Sequence, residues 1–274
     1  MVFVTYFDNA YAPKAIAMIR SLRRWNPGAR VVVLSCDEFV HEYLMQAGVD
    51  VDYVTLGELE SDFPDLRKVR VTRPWVQYLW TLTPHLMLNE LMWHDTELAY
   101  VDADLFFYQS MYGLYEETKG KDVSVIPHRW SPRHAARLSG NGKYNVAWVK
   151  VANTDVGEEF LREWARMCLG RCDASTCGDQ GHLDDLAERF PLYEVQHLGA
   201  NLAPWSQEQY TYRIDNGTIF VEDDPLLFYH FHEFLHSDRG DVLRRTGYGL
   251  HPFVAEHVYP PYERMIQEVC SEFG

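Results

Sequence analysis

Basic residues are scarce in this chain: 25 Lys and Arg stand against 40 Asp and Glu, a formal net charge of −15 with His neutral. So acidic a protein lacks the side chains that supply most of the affinity for a phosphate backbone, which excludes nucleic-acid binding as its main task. The same deficit disfavours broad electrostatic adhesion to an anionic membrane. Long apolar runs are absent as well, and none approaches the ~20 residues of a membrane-spanning helix. The opening Met1-Val2-Phe3-Val4-Thr5-Tyr6 has neither the basic flank nor the apolar stretch of a secretory signal. Cysteines number five, odd and sparse in 274 residues, which does not fit a disulfide scaffold. A cytoplasmic enzyme or binding protein is expected. At 47% hydrophobic and 24% charged residues, the chain has the composition of a globular domain.

The first hundred residues alternate strand and helix signals. Val2 to Phe7, Val31 to Leu34, Val51 to Val54 and Leu98 to Val101 are short apolar runs, the pattern of strands buried on both faces. Between them, Tyr11 to Trp25 carries Ala12, Ile16, Ile19 and Leu22 at helical spacing, and Asn26-Pro27-Gly28 ends it. Asp37 to Gln46 and Pro74 to Leu91 also read as helices, the latter with a kink or break expected at Pro84. Repeated β-α-β units imply a mainly parallel sheet covered by helices. Later, Val123 to Ile126, Val146 to Val151 and Leu226 to Phe231 read as strands. Asp155 to Cys168, Asp179 to Phe190 and Tyr262 to Val269 read as helices. No repeat or linker divides the chain, so a single α/β domain is expected.

The strongest local signal is Tyr100-Val101-Asp102-Ala103-Asp104-Leu105-Phe106-Phe107. Ligands of open parallel sheets bind beyond the carboxyl ends of the strands. Two carboxylates leaving such a strand one residue apart can grip Mg²⁺ or Mn²⁺ through oxygen. The bland alternative is a pair of solvated turn aspartates. Two enzyme classes use this arrangement. A haloacid-dehalogenase-like phosphatase would make Asp102 its nucleophile and find a later acidic motif in Gly178-Asp179-Gln180-Gly181-His182-Leu183-Asp184. Its first motif belongs on the opening strand, however, and here three strands come first.

The other class fits more of the chain. Thr5-Tyr6-Phe7-Asp8, Tyr100 to Phe107, Ile126 to Arg133, Gly142 to Trp148, Gly178-Asp179-Gln180, Asn201 to Trp205 and Tyr229-His230-Phe231-His232 follow one another in order. On these residues the sequence resembles, over nearly its whole length, bacterial GT-A (Rossmann-like) nucleotide-sugar glycosyltransferases. It looks most like those related to the retaining family that includes glycogenin and bacterial galactosyltransferases. The resemblance implies a nucleotide-binding half (1–104) and an acceptor- and sugar-binding half (105–274). It implies a metal held by Asp102, Asp104 and a late histidine. His230 and His232 share a strand face, so spacing does not choose between them. The family pattern fits His230 better and leaves His232 to phosphate or solvent.

By the same resemblance Thr5, Tyr6 and Asp8 contact the nucleoside, although Tyr6 is equally at home in a core. Asp179 and Gln180 lie beneath the sugar ring as catalytic residues, against the plainer reading of Asp179 as a helix cap. Asn145, Asn201 and Trp205 are expected sugar contacts, and Trp148 is either a contact or core. The basic residue such enzymes often carry before the Asp-x-Asp strand is missing from Tyr78 to Pro84. Arg129, Arg133 or Lys143 would have to replace it on the diphosphate, unless they are simply solvated.

The expected activity is metal-dependent transfer of a hexose from a nucleotide sugar, a UDP-sugar by preference, to a hydroxyl of a saccharide or lipid-linked saccharide, with retention. A role in polysaccharide biosynthesis would bring the protein to the inner membrane only through its acceptor. A nucleotide-sugar-binding protein without turnover is the alternative from another class. Finally, Cys168, Cys172, Cys177 and His182 could hold zinc, but no Cys-x₂-Cys pair is present and free thiols are favoured.

Overall fold

The computed structural model describes residues 1–273. β1 (Val2–Phe7), α1 (Ala12–Trp25), β2 (Arg30–Ser35), α2 (Phe39–Gln46) and β3 (Asp52–Thr55) open the chain. The short α3 (Leu56–Asp62) and α4 (Asp65–Arg70) lead into α5 (Trp75–Trp93) and β4 (Leu98–Val101). There follow β5 (Leu105–Phe107), α6 (Tyr112–Thr118), β6 (Val123–Pro127), α7 (Leu138–Asn141), β7 (Tyr144–Val151), α8 (Asp155–Gly170), α9 (His182–Ala187) and β8 (Leu192–Glu194). The central seven-stranded sheet has the order β3-β2-β1-β4-β7-β6-β8. Its strands are mostly parallel, with β7 antiparallel to both β4 and β6.

Each face of the sheet has its own apolar layer. Val2, Val4, Val32, Leu34 and Tyr100 pack with Leu82 and Leu86 of α5 and Phe160 and Trp164 of α8. Phe3, Phe7, Val31, Val33 and Val101 pack with Ile19 and Leu22 of α1. Burial on both sides explains the unbroken apolar strands, and each such side chain contributes about 1.5–3 kcal/mol. A third layer joins Phe106, Tyr229 and Phe231 to α10 (Pro252–His257) and α11 (Tyr259–Phe273).

Two expectations are corrected here. α5 runs through Pro84 as one helix, Trp75–Trp93. The ring removes one hydrogen bond, but nearly every residue from Thr81 to Leu91 is buried, and packing on both sides holds the helix together. The helix expected from Asp179 begins only at His182. Asp179 lies in the turn before it, where its carbonyl accepts hydrogen bonds from Trp164 Nε1 (2.9 Å) and the His182 N–H (3.3 Å).

Candidate active site

Strand direction brings the distant segments together. β1 and β4 are parallel neighbours, with Val4 opposite Tyr100, so Asp8 and Asp102 leave the sheet at the same edge. β7 is antiparallel and starts at that edge with Tyr144 and Asn145. β6 ends there, Pro127 opposite Tyr144, and carries His128 and Trp130 over the top. The strand Phe228–His230 pairs antiparallel with β5, setting His230 against Leu105, and the Phe231 N–H donates to the Asp104 carbonyl at 2.9 Å. The result is a cavity of roughly 540 Å³ lined by residues from all these segments.

At its floor Asp102, Asp104 and His230 converge, with one potential ligand atom from each within 4.8 Å of the others. His230 Nε2 stands 3.2 Å from Asp104 Oδ1 and 3.9 Å from Asp102 Oδ2. Tyr100 Oη donates to Asp102 Oδ1 at 2.8 Å. Among the described residues this is the one group of three or more His, Cys, Asp and Glu side chains that gathers in this way.

Burial pushes the Asp102 carboxyl up to about 6, with the Asp104 charge adding to the push and His230 opposing it. Burial works against Asp104 ionising too, but His230, Lys14 and His232 outweigh it and hold that carboxyl below its ordinary value. Desolvation lowers the His230 imidazole, and the two aspartates more than offset it. Two carboxylates and an imidazole are a donor set suited to Mn²⁺ or Mg²⁺, and the 3.2 and 3.9 Å separations lie between the ~2.9 Å of adjacent and the ~4.2 Å of opposite ligands of an octahedral ion. The residues fit such a cation. His232 lies past the strand, its ring centroid 5.6 Å from that of His230, and it faces the cavity outside this group.

Above the floor stands Asp179. Left-handed backbone at Cys177 (φ 50°) and Gly178 (φ 69°) reverses the chain and points Asp179 inward. It is only 3% exposed, and Oδ2 has no protein partner. Burial pushes its carboxyl up to about 7; the Thr83 hydroxyl and nearby backbone N–H groups oppose this, and Asp102 adds to it. Gln180 is tied in place. Its Oε1 accepts from Asn145 Nδ2 (2.8 Å) and the Val146 N–H (3.3 Å), while Nε2 donates to the Asn141 carbonyl (3.0 Å). Asn201 Nδ2 in turn donates to Asn145 Oδ1 at 2.9 Å.

The remaining expected residues divide. Tyr6, Asp8, Asn145, Trp205 and His232 line the cavity. Trp75 Nε1 donates to Asp8 Oδ2 at 3.1 Å, and Asp8 Oδ1 is buried without a protein partner. Thr5 is fully buried on the strand's other side and does not reach the cavity. Trp205 belongs to the buried residues despite its loop, with Nε1 donating to the His128 carbonyl at 2.8 Å. Trp148 is core.

Arg129 is a correction. Its guanidinium is spent on the carbonyls of Ala200 (2.8 Å), Val195 (2.9 Å) and His197 (3.2 Å), so it braces loops away from the cavity. Lys143 pairs with Glu194, and Arg133 is exposed 3.7 Å from Glu208 Oε2. Neither lines the cavity.

The zinc alternative also falls: His182 Nε2 bonds to the Arg171 carbonyl at 2.6 Å, and the cysteines do not gather with it. Asp184, which a phosphatase would need, instead accepts the Lys143 N–H at 2.9 Å and lies outside the cavity. Sequence reasoning missed Lys14, whose buried ammonium lies 4.4 Å from the centre of the Tyr11 ring and acts on Asp104. The available signal was a single lysine in the first turn of an apolar helix face.

This architecture is the GT-A fold of glycosyltransferases. It is shared with mouse xyloside xylosyltransferase 1 (TM-score 0.57, 14% identity, 85% of this chain and 97% of that one). The galactosyltransferase LgtC, solved with donor and acceptor sugar analogs, superposes with a TM-score of 0.56 at 14% identity, covering 99% and 95%. The glycosyltransferase GlyE of Streptococcus pneumoniae TIGR4 gives 0.55 at 15%, covering 97% and 63%. No protein-family model matches the chain. It belongs to the family of the uncharacterized protein YfnD of Bacillus subtilis (strain 168), to which it is 30% identical over 99% of its own length and 91% of that protein. YfnF of the same organism is 30% identical over 84% of this chain and 80% of its own.

Proposed function

We propose that this protein is a metal-dependent glycosyltransferase that moves a hexose from a nucleotide sugar, a UDP-sugar in our reading, to a hydroxyl of a saccharide or lipid-linked saccharide. The observation that carries the reading is the convergence of Asp102, Asp104 and His230 at the strand edge of a GT-A fold, in one cavity with Asp179, whose Oδ2 is buried without a partner. Asp102, Asp104 and His230 would hold Mn²⁺ or Mg²⁺. A divalent cation there supplies Lewis-acid stabilisation of the charge that builds on a departing diphosphate.

The protein's own side chains would divide the remaining work. Tyr6 and Asp8 meet the nucleoside, and Asp8 offers its free Oδ1 to a base or ribose donor group. Lys14, behind Asp104 and outside the cavity lining, favours the ionised form of that carboxylate and so its role as a ligand. Four carboxylates line the cavity: Asp8, Asp102, Asp104 and Asp179. With Asp8 at the nucleoside end and two on the metal, Asp179 is left for the reacting sugar, where ionised it favours the positive charge that develops at the anomeric carbon. Gln180, with both amide atoms engaged, acts as a positioning residue that fixes Asn145 and the turn bearing Asp179. With Asp179 assigned to the sugar and Asp8 to the nucleoside, our reading is retention, with the leaving phosphate accepting the acceptor's proton.

Calorimetry of UDP binding with and without Mn²⁺, followed by a donor-hydrolysis assay across UDP-sugars, tests the reading. UDP affinity that ignores Mn²⁺ would overturn it. Tight donor binding with neither hydrolysis nor transfer would make the protein a nucleotide-sugar binder.

A further inference from the structure

The cavity has an aromatic wall beside its acidic floor, where the Trp205 ring meets that of His230 at 5.3 Å. Opposite Tyr6 and Asp8 it is walled by His128, Trp130, Trp205 and Tyr248. Trp130 stacks on His128 with centroids 4.3 Å apart and planes 16° apart. Trp205 tilts against Trp130 at 5.6 Å, and Tyr248 stands 6.1 Å beyond it. Rigid rings with few free polar groups between them offer negative π-faces. The C–H face of a pyranose, whose hydrogens carry partial positive charge, complements such a wall.

Positive charge collects just outside. The segment Pro132–Arg137 passes over Tyr248. Its Arg137 guanidinium lies 4.8 Å from the Tyr248 ring centre, and His134 meets the same ring edge-on at 5.0 Å. Arg137 has no carboxylate within ion-pairing distance among the described residues, and Arg133 has only Glu208 at 3.7 Å. In a chain of net charge −15, the Arg137 guanidinium, without a carboxylate partner and set beside an aromatic slot, marks a place for an anion.

Building on the glycosyl-transfer reading, we propose that the acceptor is an anionic saccharide: its ring rests on Trp130 and Tyr248, and its phosphate or carboxylate is held by Arg137 with Arg133 nearby. The two anions share one recognition chemistry, charge-assisted hydrogen bonds to a planar fork.

The test is saturation-transfer NMR titration of the full chain, with UDP and Mn²⁺ present. The probes are methyl glucoside, methyl glucuronoside and methyl glucoside 6-phosphate. At least one charged probe should bind about fivefold tighter than the neutral one, the upper size of one exposed ion-pair contact. Preference for the phosphate alone assigns a phosphorylated acceptor, and preference for the glucuronoside alone assigns a uronic acid. Arg137→Ala, at an exposed position, should erase the preference while UDP affinity, read by calorimetry, stays put. Equal binding of charged and neutral probes, no binding of any, or a preference untouched by Arg137→Ala overturns the proposal. So does a loss of UDP affinity in Arg137→Ala, which would place that guanidinium on the donor. If UDP with Mn²⁺ does not bind the wild type, the glycosyl-transfer reading fails. The probe titrations then stand by themselves as the measure of the anion slot.

Discussion

Asp102 and Asp104 differ in what surrounds them, although one residue separates them in the chain. Asp104 faces His230 at 3.2 Å, whereas Asp102 is bonded to Tyr100 and lies 3.9 Å from the same imidazole. Asp104→Ala should abolish Mn²⁺-dependent UDP binding, read by calorimetry, and lower the melting temperature, since it removes the partner of the buried His230 imidazole. His230→Ala should weaken that complex more than His232→Ala, since only His230 joins the acidic pair. The reverse order would move the ligand assignment to His232. Asp179 makes a different prediction. Folding raises its carboxyl from 3.8 to about 7, so the native state keeps a proton that the unfolded chain has released. The stability this provides is complete below the unfolded value and is lost as pH rises through the folded one. In chelator-treated protein, Asp179→Asn should therefore gain stability over wild type on going from about pH 5 to about pH 8, by at most about 2.7 kcal/mol. Urea midpoints at the two pH values check this, and parallel curves for the two proteins would deny the shift. In single turnover at saturating donor and acceptor, the same variant should be slower by about a hundredfold or more, about 2.7 kcal/mol of barrier. A near wild-type rate would remove Asp179 from the chemistry.

Secondary-structure elements deliver these side chains, and their ends matter more than their middles. The turn before α9 needs left-handed backbone at Gly178, where an added Cβ would also fall 2.9 Å from Trp80 Cδ2. Gly217 has similar left-handed backbone but open space around it. Gly178→Ala should cost about 1–3 kcal/mol in urea unfolding, from the strained backbone alone and more with the Trp80 clash. It should also lower turnover by displacing Asp179. Gly217→Ala should cost less and leave turnover unchanged. Equal costs would mean that Trp80 yields. The strands and long helices were legible in the sequence because apolar residues recur with the periods of a sheet buried on both faces and of an amphipathic helix. The turn at Cys177-Gly178 was not, because nothing in its composition distinguishes it from the first turn of a helix. Pro84 misled in the opposite direction: its local cost is real, but the packing of α5 between sheet and α8 outweighs it.

At the scale of the whole molecule, buried polar groups join layers that apolar contacts alone would not orient. Lys150 on β7 is fully buried, donating to the carbonyls of Thr118 (2.8 Å) and Lys121 (3.1 Å) and standing 2.7 Å from Glu97 Oε2. It ties the end of α6 to the entry of β4. Lys150→Met should destabilise the protein by about 3 kcal/mol, because it strands a carboxylate and two carbonyls in a nearly dry site. UDP affinity should not change, since the residue lies outside the cavity. A urea midpoint equal to wild type would show that water replaces the ammonium. No described helix is long and apolar enough to cross a membrane.

By itself the sequence determined the layered α/β architecture and the placement of Asp102-Ala103-Asp104 at a strand end. Both follow from patterns a few residues long, hydrophobic period and strand-to-turn transition, which local sterics and burial enforce. Only the tertiary structure brings His230, and not His232, up to Asp102 and Asp104, since that depends on the pairing of Phe228–His230 with β5 more than a hundred residues away. It withdrew Arg129 from the site, because the carbonyls that claim its guanidinium come from the loop at Val195 to Ala200. And it placed Lys14 behind Asp104 and set Trp130 and Tyr248 in the cavity wall. Charge and ring stacking act through space, and chain spacing carries no record of which remote groups the fold will bring within reach.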